Sequence, residues 1–174
     1  DEPSLAFGGT SAIELTKKSE NLLVIQTFSK SRSMAGMRIG FAIGNKKLIS
    51  AMQDVKYSIN SYTMNMPSIM AGVESVKDRE YFEAICKKII DTREEAKRVM
   101  ADMGFEFPDS MSNFLFVTHK KFDMTQLYEY LREKDIYVRH WNNPAIKDYL
   151  RITIGTDEEM NKLYEAIKVY MKEN

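Results

Sequence analysis

The 174-residue chain is 44% apolar, enough for a real core in one large or two small folding units. Its 25 basic residues balance 25 acidic ones, so no overall field draws it to nucleic acid, an anionic membrane or an acidic substrate, and any anion site must be local. No apolar run approaches the ~20 residues of a membrane span, and no basic segment with an apolar one behind it opens the chain, so neither a membrane protein nor an unprocessed export precursor is indicated and a cytoplasmic one is the expectation.

The first residue is Asp1 rather than a methionine, which reads as trimming or as a fragment. Leu22 to Phe28 is a nearly continuous apolar run of strand length, the pattern of a strand covered on both faces. It runs into a polar loop from Ser29 to Ser33, after which Arg38 to Ile43 reads as a second strand. Gly44-Asn45 punctuates it, and Leu48, Ile49 and Met52 mark one face of a helix capped by Asn45. Another helix follows Asn65, with Pro67 in its first turn and Ile69, Met70, Val73 and Val76 on one side. Tyr57, Asn60 and Tyr62 fall in what reads as a strand-to-helix connection.

From Glu80 to Met103 a long helix is written by Phe82, Ile85, Ile89, Ala96, Met100 and Met103, and Gly104 stops it. About 24 helical residues span about 36 Å, enough to link two domains. A smaller α/β pattern follows: strand Asn113 to Val117, helix Asp123 to Arg132, strands Ile136 to Arg139 and Leu150 to Ile154, and helix Asp157 to Met171. Asp123 with Gln126, and Thr156 with Glu159, have capping-box spacing. The domain boundary is expected within or just before the long helix, giving residues 1–79 and 80–174.

The twelve methionines and nine tyrosines mostly recur at helical spacing with Leu and Ile, so core packing is their expected role. Cys86 lies between apolar residues and reads as a buried structural thiol, with no second cysteine for an internal disulfide. His119 and His140 are far apart and lack metal-ligand spacing, so no metal is assigned.

Chemistry concentrates where the first strand ends. Thr27, Ser29, Lys30 and Arg38 stand within twelve residues, interleaved with small residues that permit close backbone approach, a composition suited to a phosphate. A solvated polar loop between two strands would carry the same residues, and no Gly-x-x-x-x-Gly-Lys-Ser/Thr spacing points to a nucleotide loop. Likewise Arg151, between Leu150 and Ile152 in an alternating strand, fits a half-buried ion pair as well as an anion site.

The whole string Thr27-Phe28-Ser29-Lys30-Ser31-Arg32-Ser33-Met34-Ala35-Gly36-Met37-Arg38-Ile39-Gly40 is far more specific. It resembles the lysine segment of the fold-type I aminotransferases dependent on pyridoxal 5'-phosphate (PLP), most closely the histidinol-phosphate aminotransferases. The resemblance extends through Asn113-Phe114-Leu115, Tyr137-Val138-Arg139 and Leu150 to Thr156, and so covers essentially the whole chain.

That resemblance implies the carboxy-terminal part of an α/β PLP-dependent transferase fold: a remnant of the large-domain sheet in 1–79, and a long interdomain helix with a small α/β domain in 80–174. It implies that Lys30 carries PLP on its amine, a role open only to the neutral amine, and that Arg38, Thr27 and Ser29 hold the cofactor phosphate. Asp1 would pair with the pyridinium nitrogen. Arg151 would grip the substrate's anionic terminus, and Arg139 offers a second anion contact or a plain surface arginine. The chain departs from the family at Ser4, where a tyrosine usually touches the cofactor.

The implied partners are a small-molecule amino donor, histidinol phosphate, and a 2-oxo acid, 2-oxoglutarate, in a homodimer whose interface lies near Tyr57, Asn60 and Tyr62, residues that a simple loop role fits equally well. The implied enzyme is about twice this length. Without its amino-terminal half, the strand Leu22 to Phe28 is expected to lack pairing neighbours, the chain to bind PLP weakly and not to transaminate, and the part from Glu80 onward to fold by itself. A PLP decarboxylase of a phosphorylated amino acid shares the scaffold, and a non-catalytic α/β module is the reading from outside enzymology.

Overall fold

A computed structural model describes residues 5–174. Asp1 and Ser4, for which a cofactor contact and a departure from the family pattern are expected, lie outside the described residues. The chain divides into two compact units, one ending at Cys86 and the other running from Lys87 to Asn174.

In the first unit a one-turn helix, α1 (Ile13–Thr16), precedes strand β1 (Leu23–Thr27), which pairs antiparallel with β2 (Gly40–Gly44). The register runs from Leu23 opposite Gly44 to Thr27 opposite Gly40. β1 therefore does have a pairing neighbour, contrary to the sequence expectation. Nor is it covered on both faces: Val24 is buried but Ile25 is 39% exposed, as is Phe41 on β2 at 43%. The second strand begins at Gly40 rather than Arg38, because a 3-10 turn over Ala35–Met37 ends with Arg38 in a left-handed conformation, φ 58°.

Helix α2 (Lys46–Ile59) starts where Asn45 accepts a hydrogen bond from the Lys47 N–H, as its cap position requires. Tyr57 lies inside this helix, so the segment around Asn60 and Tyr62 connects two helices, not a strand and a helix. Helix α3 (Met66–Lys77) is capped by Asn65 onto Ser68 N. Its expected apolar side proves to be outside: Ile69, Met70, Val73 and Val76 are all exposed, while Ser68 and Gly72 are buried. Small residues face inward because Ile39 and Phe28 approach there; a Cβ on Gly72 would sit 2.9 Å from Ile39 Cδ1.

Helix α4 (Arg79–Asp102) carries the chain out of the first unit and ends before Gly104, whose φ of 85° a side chain would resist. The second unit is built on an antiparallel sheet in the order β3 (Phe105–Glu106), β4 (Phe114–His119), β5 (Leu150–Thr153). Helices α5 (Met124–Glu133) and α6 (Asp157–Glu173) pack on each other. The core includes Ala96, Met100, Leu115, Val117, Leu127, Leu131, Ile152 and Ile167. Asp123 caps α5 by accepting from Thr125 and Gln126 N–H groups, and the Thr156–Glu159 box closes in both directions.

The expected strand Ile136 to Arg139 does not form. Asp135 turns left-handed (φ 58°), its N–H bonding Arg132 O while Ile136 N–H bonds Leu131 O, so Ile136 finishes the helix end instead. Only Arg139 reaches the sheet, in an isolated bridge with Arg151. Met100, Met124 and Met160 are buried in the second unit, where Met111 is exposed, whereas Met37, Met52, Met64, Met66 and Met70 of the first are exposed and Met34 is half-buried. Core packing thus holds for several methionines of the second unit and fails for most of the first. No helix among the described residues is long and apolar enough to cross a membrane.

Candidate active site

The β1–β2 ladder decides where the lysine segment goes. Phe28 N–H bonds Ile39 O at 3.1 Å, extending the register one step past Thr27 and Gly40, so that Ser29 and Arg38 lie across from each other where the ladder opens. Two further bonds curl the segment back: Ser33 N–H to Lys30 O at 3.1 Å, and Met34 N–H to Phe28 O at 3.2 Å. Ser33 accommodates the curl with a φ of 54°. The structure therefore gathers Thr27, Ser29, Lys30 and Arg38 at one end of one ladder.

Their side chains are available. Lys30 is exposed, and neither its amine nor the Thr27 and Ser29 hydroxyls form a hydrogen bond among the described residues. Arg38 is exposed too and donates from Nη1 to Ala35 O at 2.8 Å, leaving the rest of its fork open. Close to this loop, space is guarded at Gly40, where a Cβ would come within 3.2 Å of Gln26 O, and left open at Gly36. Two hydroxyls, a guanidinium and a primary amine form the donor set that a phosphate ester bearing an aldehyde would need. The residues present fit PLP.

One contributor escapes the sequence reading. The Arg32 guanidinium lies 4.1 Å from the Phe82 ring centre and 5.2 Å from that of Phe28, and Nη1 donates to Ser75 O. Beside it, Cys86 Sγ lies 3.9 Å from Ser31 O. Burial pushes the Cys86 thiol up, against the opposing pull of Arg32, in keeping with a structural thiol. A cavity of about 300 Å³ opens here, lined by Ser31, Arg32, Ser75, Asp78, Tyr81 and Phe82 among others. None of Thr27, Ser29, Lys30 and Arg38 lines it. Two of the Arg32 partners, Ser75 and Phe82, lie more than forty residues away, beyond the reach of spacing arguments.

In the second unit the strand alternation turns Leu150 and Ile152 into the core and Arg151 to the opposite face. There its guanidinium stands 5.4 Å from the Phe114 ring centre and 5.6 Å from that of Trp141. Its Nε is buried without a hydrogen-bond partner among the described residues. A buried, unsatisfied donor on a cation is costly unless an anion completes it. Arg139 is exposed, stacks 5.3 Å from Trp141, and exchanges both backbone bonds with Arg151. The ion pair weighed for Arg151 does not form among the described residues.

The family model for aminotransferase class I and II matches residues 4–167. This chain belongs to that family. Class I and II aminotransferases are PLP-dependent enzymes. The chain is 50% identical over 173 residues to the histidinol-phosphate aminotransferase of Brachyspira hyodysenteriae, covering 99% of this chain and 49% of that protein. It is 48% identical over 174 residues to the enzyme of the same name from Lactococcus lactis subsp. lactis, covering 100% and 48%.

Among solved structures, the histidinol-phosphate aminotransferase of Clostridium acetobutylicum superposes with a TM-score of 0.87 at 24% identity, over 97% of this chain and 52% of that one. That of Sinorhizobium meliloti, solved in complex with pyridoxal-5'-phosphate, gives 0.82 at 23%, over 98% and 48%. These likenesses bear on the fold of this aminotransferase-family chain. It spans about half the length of the curated relatives it matches.

Proposed function

We propose that this chain is the carboxy-terminal half of a PLP-dependent aminotransferase that moves an amino group between histidinol phosphate and 2-oxoglutarate. The observation that carries the proposal is the meeting of the Thr27-Phe28-Ser29-Lys30 run with Arg38 across the open end of one strand pair, in a chain half identical to enzymes of that name. Residues 1–79 then belong to the cofactor-binding domain, and 80–174 supply the interdomain helix and the small domain. The protein works in the cytoplasm as a homodimer.

In this reading Lys30 would hold PLP through its amine, Arg38 with the Thr27 and Ser29 hydroxyls would hold its phosphate, and Asp1 would pair with the ring nitrogen. PLP, when bound, supplies an electron-withdrawing ring that lets a bond to the substrate's Cα break heterolytically. The chain's own residues do the rest. The Lys30 amine, released as the substrate's amine takes its place, would take the proton from the substrate Cα. Arg151 fixes the substrate's anionic end by two parallel hydrogen bonds, the unpaired Nε–H being one donor, with Arg139 as a second cation.

Lys30 is exposed and the β1–β2 pair leaves Ile25 and Phe41 uncovered, so the 174 residues alone would present the lysine to water. We assign them weak cofactor affinity and no turnover; the rest of the enzyme excludes water. The complete protein, supplied with PLP, histidinol phosphate and 2-oxoglutarate, is expected to form glutamate in step with consumption of the donor. Carbon dioxide release from an amino acid without glutamate formation would replace this reading with a decarboxylase.

A further inference from the structure

We propose that Arg32 is the positioning residue of the lysine loop, fixing where Lys30 presents its amine by clamping the loop onto α3 and α4. The inference rests on the reading of Lys30 as the cofactor lysine and adds a residue to which that reading gives no role.

The curl made by the Ser33-to-Lys30 and Met34-to-Phe28 bonds is internal to the loop. It sets the loop's shape but ties it to nothing beyond β1. Arg32, two residues after Lys30, reaches outward. Its Nη1 donates to Ser75 O and lies 3.4 Å from Ser75 Oγ. Ser75 is in the last turn of α3, where the helix leaves carbonyls without intrahelical donors and its dipole favours a cation. The same guanidinium lies near the Phe82 ring on α4 and the Phe28 ring at the end of β1, a strong setting for a cation between aromatic rings. Cys86, one helical turn past Phe82, adds the weak contact from Sγ to Ser31 O.

Every outside anchor sits on a regular element, and Lys30 is exposed with no hydrogen bond from its amine among the described residues. The placement of its backbone is therefore inherited from its neighbours. A planar fork can lie between rings and donate in its own plane at once, whereas an ammonium can do one or the other. Misplacing a reacting group by about 1 Å costs on the order of 100-fold in rate, so loss of the clamp should register at the cofactor linkage itself.

The test uses the complete protein loaded with PLP and measures borohydride-trapped cofactor on the Lys30 peptide, together with the pH midpoint of the visible band of the lysine-bound cofactor. Arg32→Met keeps length and packing but loses fork and charge; trapping at subsaturating PLP is expected to fall about tenfold, and the midpoint to move by about half a unit. Arg32→Lys should recover less than about half of the loss. Should Arg32→Met fail to fold, Phe82→Leu, which removes one ring and keeps an apolar side chain, is expected to lower trapping by about threefold.

Folded variants with parental trapping and midpoint overturn the proposal, as does full recovery by Arg32→Lys. Lys30→Ala separates the premise: trapping that survives it defeats the reading of Lys30. Trapping lost in Lys30→Ala but normal in folded Arg32→Met or Phe82→Leu defeats the Arg32 proposal alone.

Discussion

Arg151 combines an aromatic setting with a buried Nε–H that nothing in the described chain accepts. An arginine built only for stability would have its donors satisfied, since an orphaned buried donor costs ~1–3 kcal/mol. Arg151→Met in the complete enzyme is expected to raise KM for the anionic substrate by about 100-fold, the loss of two charge-assisted hydrogen bonds, with the thermal midpoint little changed. Steady-state kinetics with a melt check this; an unchanged KM would make Arg151 structural. Tyr164 has the opposite meaning. Its hydroxyl is also buried and without a partner among the described residues, but it lies on the core side of α6, and burial, helped by Glu95 and Asp157, pushes its phenol up to about 12. In the unfolded chain the phenol ionises near ~10, so between those values the unfolded state has released a proton that the folded state keeps. The contribution is fully present below pH ~10 and is lost as pH rises toward 12. Tyr164→Phe should therefore match the parent or exceed it by up to ~1 kcal/mol near neutrality and resist alkaline unfolding better; denaturant titrations at several pH values would show it.

At the scale of elements, two buried or half-buried glycines test how the first unit is packed. A Cβ on Gly44 would meet Leu22 O at 2.8 Å, a backbone atom held beside the β1–β2 ladder. On Gly72 it would meet Ile39 Cδ1 at 2.9 Å, the free end of a flexible side chain. Gly44→Ala is expected to destabilise the first unit by ~1–3 kcal/mol. Gly72→Ala should stay within ~1 kcal/mol of the parent, since helix propensity offsets the crowding. Hydrogen exchange across β1, β2 and α3 distinguishes the two. The same local physics explains what the sequence revealed. Caps at Asn45, Asn65, Asp123 and Thr156, and the stop at Gly104, are short-range hydrogen-bond chemistry and were legible. The strand expected at Ile136 to Arg139 alternates correctly, yet the left-handed Asp135 commits Ile136 to the end of α5. β3 has two residues, too few to show a period. The β2 start was misplaced because Arg38 carries no mark of a left-handed backbone. At the site, the lysine segment was legible as a string, whereas the Arg32 contacts with Ser75 and Phe82 depend on folding.

At the scale of the whole molecule the two units differ in how well their apolar residues are housed. The second buries a continuous core from Ala96 to Tyr170, while the first exposes Met52, Val55 and Ile59 on α2 and Ile69, Met70, Val73 and Val76 on α3. Apolar faces of that extent on regular helices are surfaces that more polypeptide is expected to cover. This agrees with a chain spanning about half the length of its relatives. The central claim, that Lys30 is the residue that takes up PLP, is tested most directly by reducing PLP-loaded complete protein with borohydride and mapping the label by mass spectrometry. The account predicts one modified peptide, bearing the label on Lys30, with little label when the 174-residue chain is treated alone. A label on another residue, or one that persists in Lys30→Ala, would contradict it.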